Sequence, residues 1–199
     1  VFLRVLLLLS GVQLVLSTSV AALPGYLIHA RDYSANAVTW AVLVAYGILV
    51  FVYFGTAALS DRFGTFRIFV AWALTATSLG VVVLHMVEIL PPGQQQSLAL
   101  AGLIAVTVVS LSVAGFMHTY VIEAFPAGVL ATSYGTARSL SEFVPVFSGL
   151  YLLGLGLLVG DRIAPAALLA VGGIFVVVGA MLVERFRSLP SPVSAEDTK

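Results

Sequence analysis

Cysteine is absent from the 199 residues, and charge is scarce: nine Lys and Arg against nine Asp and Glu, 9% of the chain. The first absence excludes disulfides, thiolate metal sites and thiol nucleophiles. The second excludes an ordinary water-soluble domain, which carries about 25% charged residues. A formal net charge of zero leaves no basic face for nucleic acid. His-Glu-x-x-His, Gly-x-Ser-x-Gly and paired intramembrane aspartates are also missing, so no catalytic residue, cofactor or metal is expected and the chain is not read as an enzyme. What is abundant is apolar: 60% of residues are hydrophobic and the mean hydropathy is +1.10. The chain is an all-α membrane protein by composition, with the lipid bilayer as its main partner.

A spanning helix needs about 20 mostly apolar residues to cross roughly 30 Å of hydrocarbon. Six segments qualify, near 5–23, 37–59, 68–90, 97–122, 139–160 and 164–183. They form one transmembrane domain over 1–184, followed by a polar tail over 185–199 that reads as disordered. The connections are "PGYLIHARDYSAN", "LSDRFGTFR", "PPGQQQ", "FPAGVLATSYGTAR" and "GDRIAP". The first segment, with Arg4, an apolar run and small residues in "SVAA", also has the layout of a signal peptide. Its apolar run of 19 is longer than a usual signal core, and the span reading is preferred.

Lys and Arg near span ends set orientation, because cytoplasmic loops hold the excess. Arg4, Arg62, Arg67, Arg138, Arg185, Arg187 and Lys199 fall on one side, Arg31 and Arg162 on the other. Both termini are therefore expected in the cytoplasm of a cell (inner or plasma) membrane. "SDR" at 60–62 follows the second segment and "GDR" at 160–162 the fifth. Three spans reverse direction, so that match is a weak sign of a 3+3 inverted repeat.

"ALSDRFGTFR" resembles the signature loop between the second and third helices of a major facilitator superfamily unit. Asp61, Arg62, Gly64 and Arg67 match that pattern, while Ala57 and Phe66 depart from it. "YVIEAFPAGVLATSYG" is similar to the family's Glu-x-Phe-Pro segment at Glu123, Phe125 and Pro126, with Leu130 where arginine is usual. The resemblance implies one six-helix half of a twelve-helix fold. The fourth segment carries no buried arginine, no long basic loop follows the sixth, and residue 1 abuts the first. These features favour the C-terminal half. The resemblance implies that this loop stabilises the state closed to the cytoplasm, with Asp61 as its latch; the alternative is a topogenic turn that only anchors orientation.

In the implied fold the first and fourth helices line a central cavity, the second and fifth flank it, and the third and sixth face lipid. On that arrangement the substrate-cavity candidates are Gln13 and Ser17 on the first helix, Tyr46 and Tyr53 on the second, and Thr107, Ser110 and His118 on the fourth. Serine and threonine in helices usually bond a carbonyl a turn back, so packing competes with binding for them. Gln13 is the better candidate, since an intramembrane amide needs partners. The gating candidates are Asp61, Arg62, Gly64, Arg67, Glu123, Pro126, Arg138 and Glu142. Arg138 and Glu142 stand four apart and are expected to pair. His85 and Glu88 share a face near the outer surface.

The expected function is secondary transport of a small-molecule substrate by alternating access, with or without a coupling proton. A second six-helix half, from the same gene or a second copy, is the expected protein partner. The competing reading is a non-transporting six-helix scaffold or receptor subunit.

Overall fold

A computed structural model describes residues 1–89, 96–125, 127–160 and 162–187. It is helical, with no strand among the described residues. The helices are α1 (Phe2–Ser17), α2 (Leu23–Arg31), α3 (Ala35–Phe63), α4 (Thr65–Ile89), α5 (Gln96–Leu111), α6 (Met117–Ile122), α7 (Leu130–Val146), α8 (Ser148–Val159) and α9 (Ala164–Arg187). Five stretches are long and apolar enough to cross a membrane: Phe2–Arg31, Ala35–Phe63, Thr65–Ile89, Gln96–Gly115 and Ala164–Arg185. The pair α7 and α8, bent by 52°, supplies a sixth when counted as one span.

The helices overrun the expected segments. "PGYLIHAR" is helix α2 rather than loop, and "LATSYGTAR" is the first half of α7. Most of "PPGQQQ", together with Pro126, Asp161 and residues 188–199, lies outside the described residues.

Three spans are interrupted, each for a local reason. In the first, the π turn Thr18–Ala22 separates α1 from α2, and Leu23 N–H bonds the Thr18 carbonyl five residues back. Pro24 follows at once; it has no N–H and its ring crowds the carbonyl four residues earlier, so the ladder shifts register there. In the fourth span the 3-10 turn Ser112–Gly115 separates α5 from α6 without any proline. Here side chains enter the ladder: Trp72 Nε1 donates to the Val109 carbonyl at 2.7 Å, Ser112 Oγ to the same carbonyl at 2.7 Å, and Thr56 Oγ1 to the Ser112 carbonyl at 3.3 Å. In the fifth span Pro145 lies inside α7, and the bend at Phe147 follows it.

Two turns share a geometry. Gly64 (φ 87, ψ 133) closes α3, and Gly160 (φ 91, ψ 145) closes α8. Each donates its N–H four residues back, to Ser60 at 3.0 Å and Gly156 at 2.9 Å. Positive φ favours glycine at both. The "SDR"/"GDR" correspondence drawn from the sequence is therefore out of register. Ser60, Asp61 and Arg62 belong to the helix before the first glycine, whereas Arg162 follows the second.

Packing is uneven. α1 lies against α9 and α7, α5 against α3 and α4, and α4 against α9. Half of the most apolar window of the first span is buried but only 11% of that of α3, and α8 has no buried residue. The first helix thus sits deep in the bundle, while the second and the outer part of the fifth present bare apolar faces, including Phe51, Phe54, Leu157 and Leu158. The α1–α9 seam is made by glycines. A Cβ on Gly11 would fall 2.6 Å from Val176 N, and one on Gly179 would fall 2.7 Å from Leu8 Cα. Without a hydrophobic driving force between helices in lipid, such backbone approach is a main source of association.

A pair of alanine substitutions tests the seam. Gly179→Ala should destabilise the protein in detergent by about 1–3 kcal/mol through overpacking. Gly55→Ala, where a Cβ meets nothing within 4 Å, should be neutral or slightly stabilising. Thermal unfolding of the two variants side by side checks it; equal midpoints would contradict the seam.

Candidate functional site

Two of the three interrupted spans, the first and the fourth, meet beside their interruptions. Ser110, at the end of α5, donates from Oγ to Ser19 Oγ in the π turn at 2.9 Å, and both residues are fully buried. Thr107, one turn earlier on the same face of α5, is also fully buried, and its hydroxyl has no hydrogen-bond partner. Thr107 and Ser110 are thus enclosed by protein within this bundle. Dense packing around the break in the fourth span is the cause. Sequence reading missed Ser19 because a π turn shifts the helical phase, so a stripe projected from Gln13 and Ser17 points the wrong way beyond Thr18.

The other cavity candidates lie outside that core. Gln13 and Ser17 are half-buried, and Ser17 Oγ bonds the Leu14 carbonyl at 3.1 Å. Tyr46 is exposed and Tyr53 half-buried on α3. A cleft of about 730 Å³ between α1, α8 and α9 is almost wholly apolar, lined by residues such as Leu7, Leu14, Leu155 and Phe175; neither Gln13 nor Ser17 lines it. His118 is exposed on α6, beyond the Gln96–Gly115 span; its Nδ1 meets the Tyr134 hydroxyl, with the rings edge-on at 6.2 Å. Desolvation, and after it the Arg138 charge, pushes its pKa below the ordinary histidine value. The neutral ring is therefore favoured at neutral pH.

The polar groups that do converge lie at the two ends of the bundle. With short connections, successive spans alternate in direction, so the first and third end at one pole and the fourth and sixth at the other. At the first pole the Tyr26 hydroxyl donates to Glu88 Oε1, and Arg162 Nε lies 3.9 Å from Glu88 Oε2. Glu88 thereby joins α2, α4 and the α8–α9 turn. At the opposite pole the Tyr120 hydroxyl donates to the Ala180 carbonyl at 3.2 Å and reaches Glu184 Oε2 at 3.5 Å. A pocket of about 680 Å³ lies beside it, lined by Arg62, Gly64, Arg67, Glu123 and Glu184 among others.

That pocket gathers four of the eight expected gating residues, Arg62, Gly64, Arg67 and Glu123. Arg62 stacks over Phe63 at 5.4 Å. Asp61 is exposed in the last turn of α3 and makes no hydrogen bond or ion pair among the described residues. Arg138 and Glu142 stand apart from the pocket but pair as their spacing implies, Nε to Oε1 at 2.7 Å. Both are partly exposed, so the pair contributes little to stability. Among the described residues no group of three or more His, Asp or Glu is placed to hold a metal. No family profile, curated protein or solved structure matches the chain.

Replacing Thr107 separates packing from binding. A buried hydroxyl without a partner costs about 1–3 kcal/mol, so Thr107→Val should leave thermal stability unchanged or raised. If the hydroxyl instead holds a solute, the variant should lose transport at unchanged stability. A clear loss of stability would contradict the unpartnered hydroxyl.

Proposed function

We propose that the chain is one six-helix unit of a secondary transporter of the major facilitator kind, moving a small solute by alternating access. In this reading two three-span units, related by inverted topology, make up the unit, and a second six-helix unit faces it. The observation that carries it is the pair of interrupted helices that cross at Ser19 and Ser110. Transporter sites are typically built where discontinuous helices of repeated units meet near the bilayer midplane.

Correspondences between the halves support the repeat. α1 and α5 are both 16 residues long and both end at a break. Gly64 and Gly160 close the second helix of each half in the same conformation. The close approach of Gly179 to Leu8 has its counterpart in that of Gly102 to Val83, whose Cγ atoms lie 2.9 Å from a Cβ built on the glycine. Tyr26 with Glu88 matches Tyr120 with Glu184 at offsets of 94 and 96 positions. Helix partners are likewise preserved on exchanging the halves: α1 with α9 becomes α5 with α4, and α1 with α7 becomes α5 with α3.

The bare faces of α3 and α8, equivalent under the same exchange, support docking of a second unit there. The excess of arginines at the Gly64 pole supports a cytoplasmic orientation for that pole. Asp61, exposed at this pole, is then available to the second unit as the latch that the loop resemblance implies. A latch is a contact made in one state and broken in the other, and such couplings typically amount to 5- to 150-fold.

Membrane vesicles containing the chain with its second unit provide the test, using uptake of a panel of labelled small solutes. At least one solute should accumulate, and Asp61→Asn should lower its uptake roughly five- to hundredfold with membrane insertion unchanged. No uptake of any solute, with both units present and inserted, would sink the transporter reading.

A further inference from the structure

Where the first and fourth spans meet, buried oxygen is plentiful and charge is absent. Residues 5–22 and 96–111 carry no acidic or basic side chain. In the helices packed around them, 35–60, 68–84 and 164–183 carry none either, and the two charges of α7, Arg138 and Glu142, pair with each other. The oxygens come from three residues. Thr107, 0% exposed, has its hydroxyl buried without a hydrogen-bond partner. Ser110 and Ser19, also 0% exposed, hold their hydroxyl oxygens 2.9 Å apart, and one bond between two hydroxyls leaves acceptor lone pairs on both. Ser19 adds its backbone carbonyl. In an α ladder the donor to that carbonyl is Leu23 N–H, and in a π ladder it is Pro24 N–H. Leu23 N–H goes to Thr18, and Pro24 has none.

Buried oxygens without donors are costly in hydrocarbon, where water does not supply one. A ligand that uses acceptors alone is a cation, and hard cations take oxygen ligands. α1 and α5 both end here by their C-terminal ends, whose partial negative charge favours positive charge. With no carboxylate at hand to offset the dehydration of a divalent ion, a single positive charge suits this neutral set. Hydroxyl oxygens 2.9 Å apart favour a small ion over a large one, since selectivity follows cavity size and ligand number. Unwound carbonyls and half-helix C-terminal ends are what broken membrane helices use to hold Na⁺.

We propose that the meeting of the two breaks is a Na⁺ site, with the Thr107, Ser110 and Ser19 hydroxyls and the Ser19 carbonyl as ligands. Because its ligands come from two spans, its affinity depends on how the two breaks are aligned, and the ion favours the arrangement that brings them together. The proposal deepens the transporter reading by naming the coupling ion, and rests on that reading for this role; binding itself is measured without transport.

The protein extracted from its own membrane into lipid nanodiscs and dialysed into choline chloride provides the test. Thermal unfolding is followed as choline is replaced by Na⁺ or by K⁺ at constant total salt. Na⁺ should raise the midpoint and saturate, as a ligand of the folded state does, while K⁺ leaves it near the choline value. Thr107→Val keeps the shape and removes one ligand. It should need about tenfold more Na⁺ for the half-maximal rise, the worth of one polar contact to a charged group. In choline alone its midpoint should match or exceed that of the unaltered protein. Thr107→Ser retains an oxygen and should retain the Na⁺ response, which covers the case in which valine disturbs the packing. Equal midpoints in the three salts, an equal rise in Na⁺ and K⁺, or a full Na⁺ response in Thr107→Val would each overturn the proposal. A selective Na⁺ response in a protein that moves no solute would keep the site and remove the transport reading. Solute uptake indifferent to Na⁺, with equal midpoints, would do the opposite.

Discussion

Inside hydrocarbon every backbone carbonyl released from a helix ladder must find another donor, because water is not there to supply one. That constraint organises this protein. Pro24 forces a shift of register, which the chain absorbs as a π turn, so that Leu23 and Thr18 still pair. The break between α5 and α6 has no proline; it is held open by donors that reach in from neighbours, Trp72 from α4 and Thr56 from α3. The α5–α6 break is therefore a built feature whose Val109 and Ser112 carbonyls accept donors from neighbouring helices, whereas the first break keeps its Leu23–Thr18 bond within its own span. The former also fixes where neighbouring helices sit, since Thr56 and Trp72 must stand within reach.

The same logic governs contact between helices. With lipid as apolar as leucine, the bundle is held by close approach at Gly11 and Gly179 and by the aromatic cluster of Phe69 with Trp72, Phe116 and Tyr120. These contacts concentrate on α1, α4, α5 and α9, leaving α3 and α8 on the outside.

Much of this was legible in the sequence. Six apolar runs, Gly64 as a turn residue and the Arg138–Glu142 spacing all follow from rules of length, backbone conformation and helical periodicity. The helix ends were less legible, because apolarity fades before the helix does: polar residues such as His29, Arg31 and Tyr134 continue α2 and α7 beyond the expected boundaries. The interruptions were read poorly for a different reason. Pro24 signals a break, but a 3-10 turn created by Trp72 and Thr56 has its cause in residues that are distant in sequence. Thr107 and Ser110 were cavity candidates because the implied fold puts the fourth helix on the cavity; the distant packing that buries them in this bundle leaves no local mark in the sequence. Tyr26 and Glu88 lie 62 positions apart, and nothing local to either marks them as partners.

The central claim is that this six-helix bundle works against a second one docked on the faces of α3 and α8. A cryo-electron microscopy structure of the protein extracted from its own membrane into lipid nanodiscs tests it directly. The account predicts a second six-helix unit in parallel orientation, covering Phe51, Phe54, Leu157 and Leu158, with Asp61 in contact with it. A lone bundle with ordered lipid along both faces would contradict it.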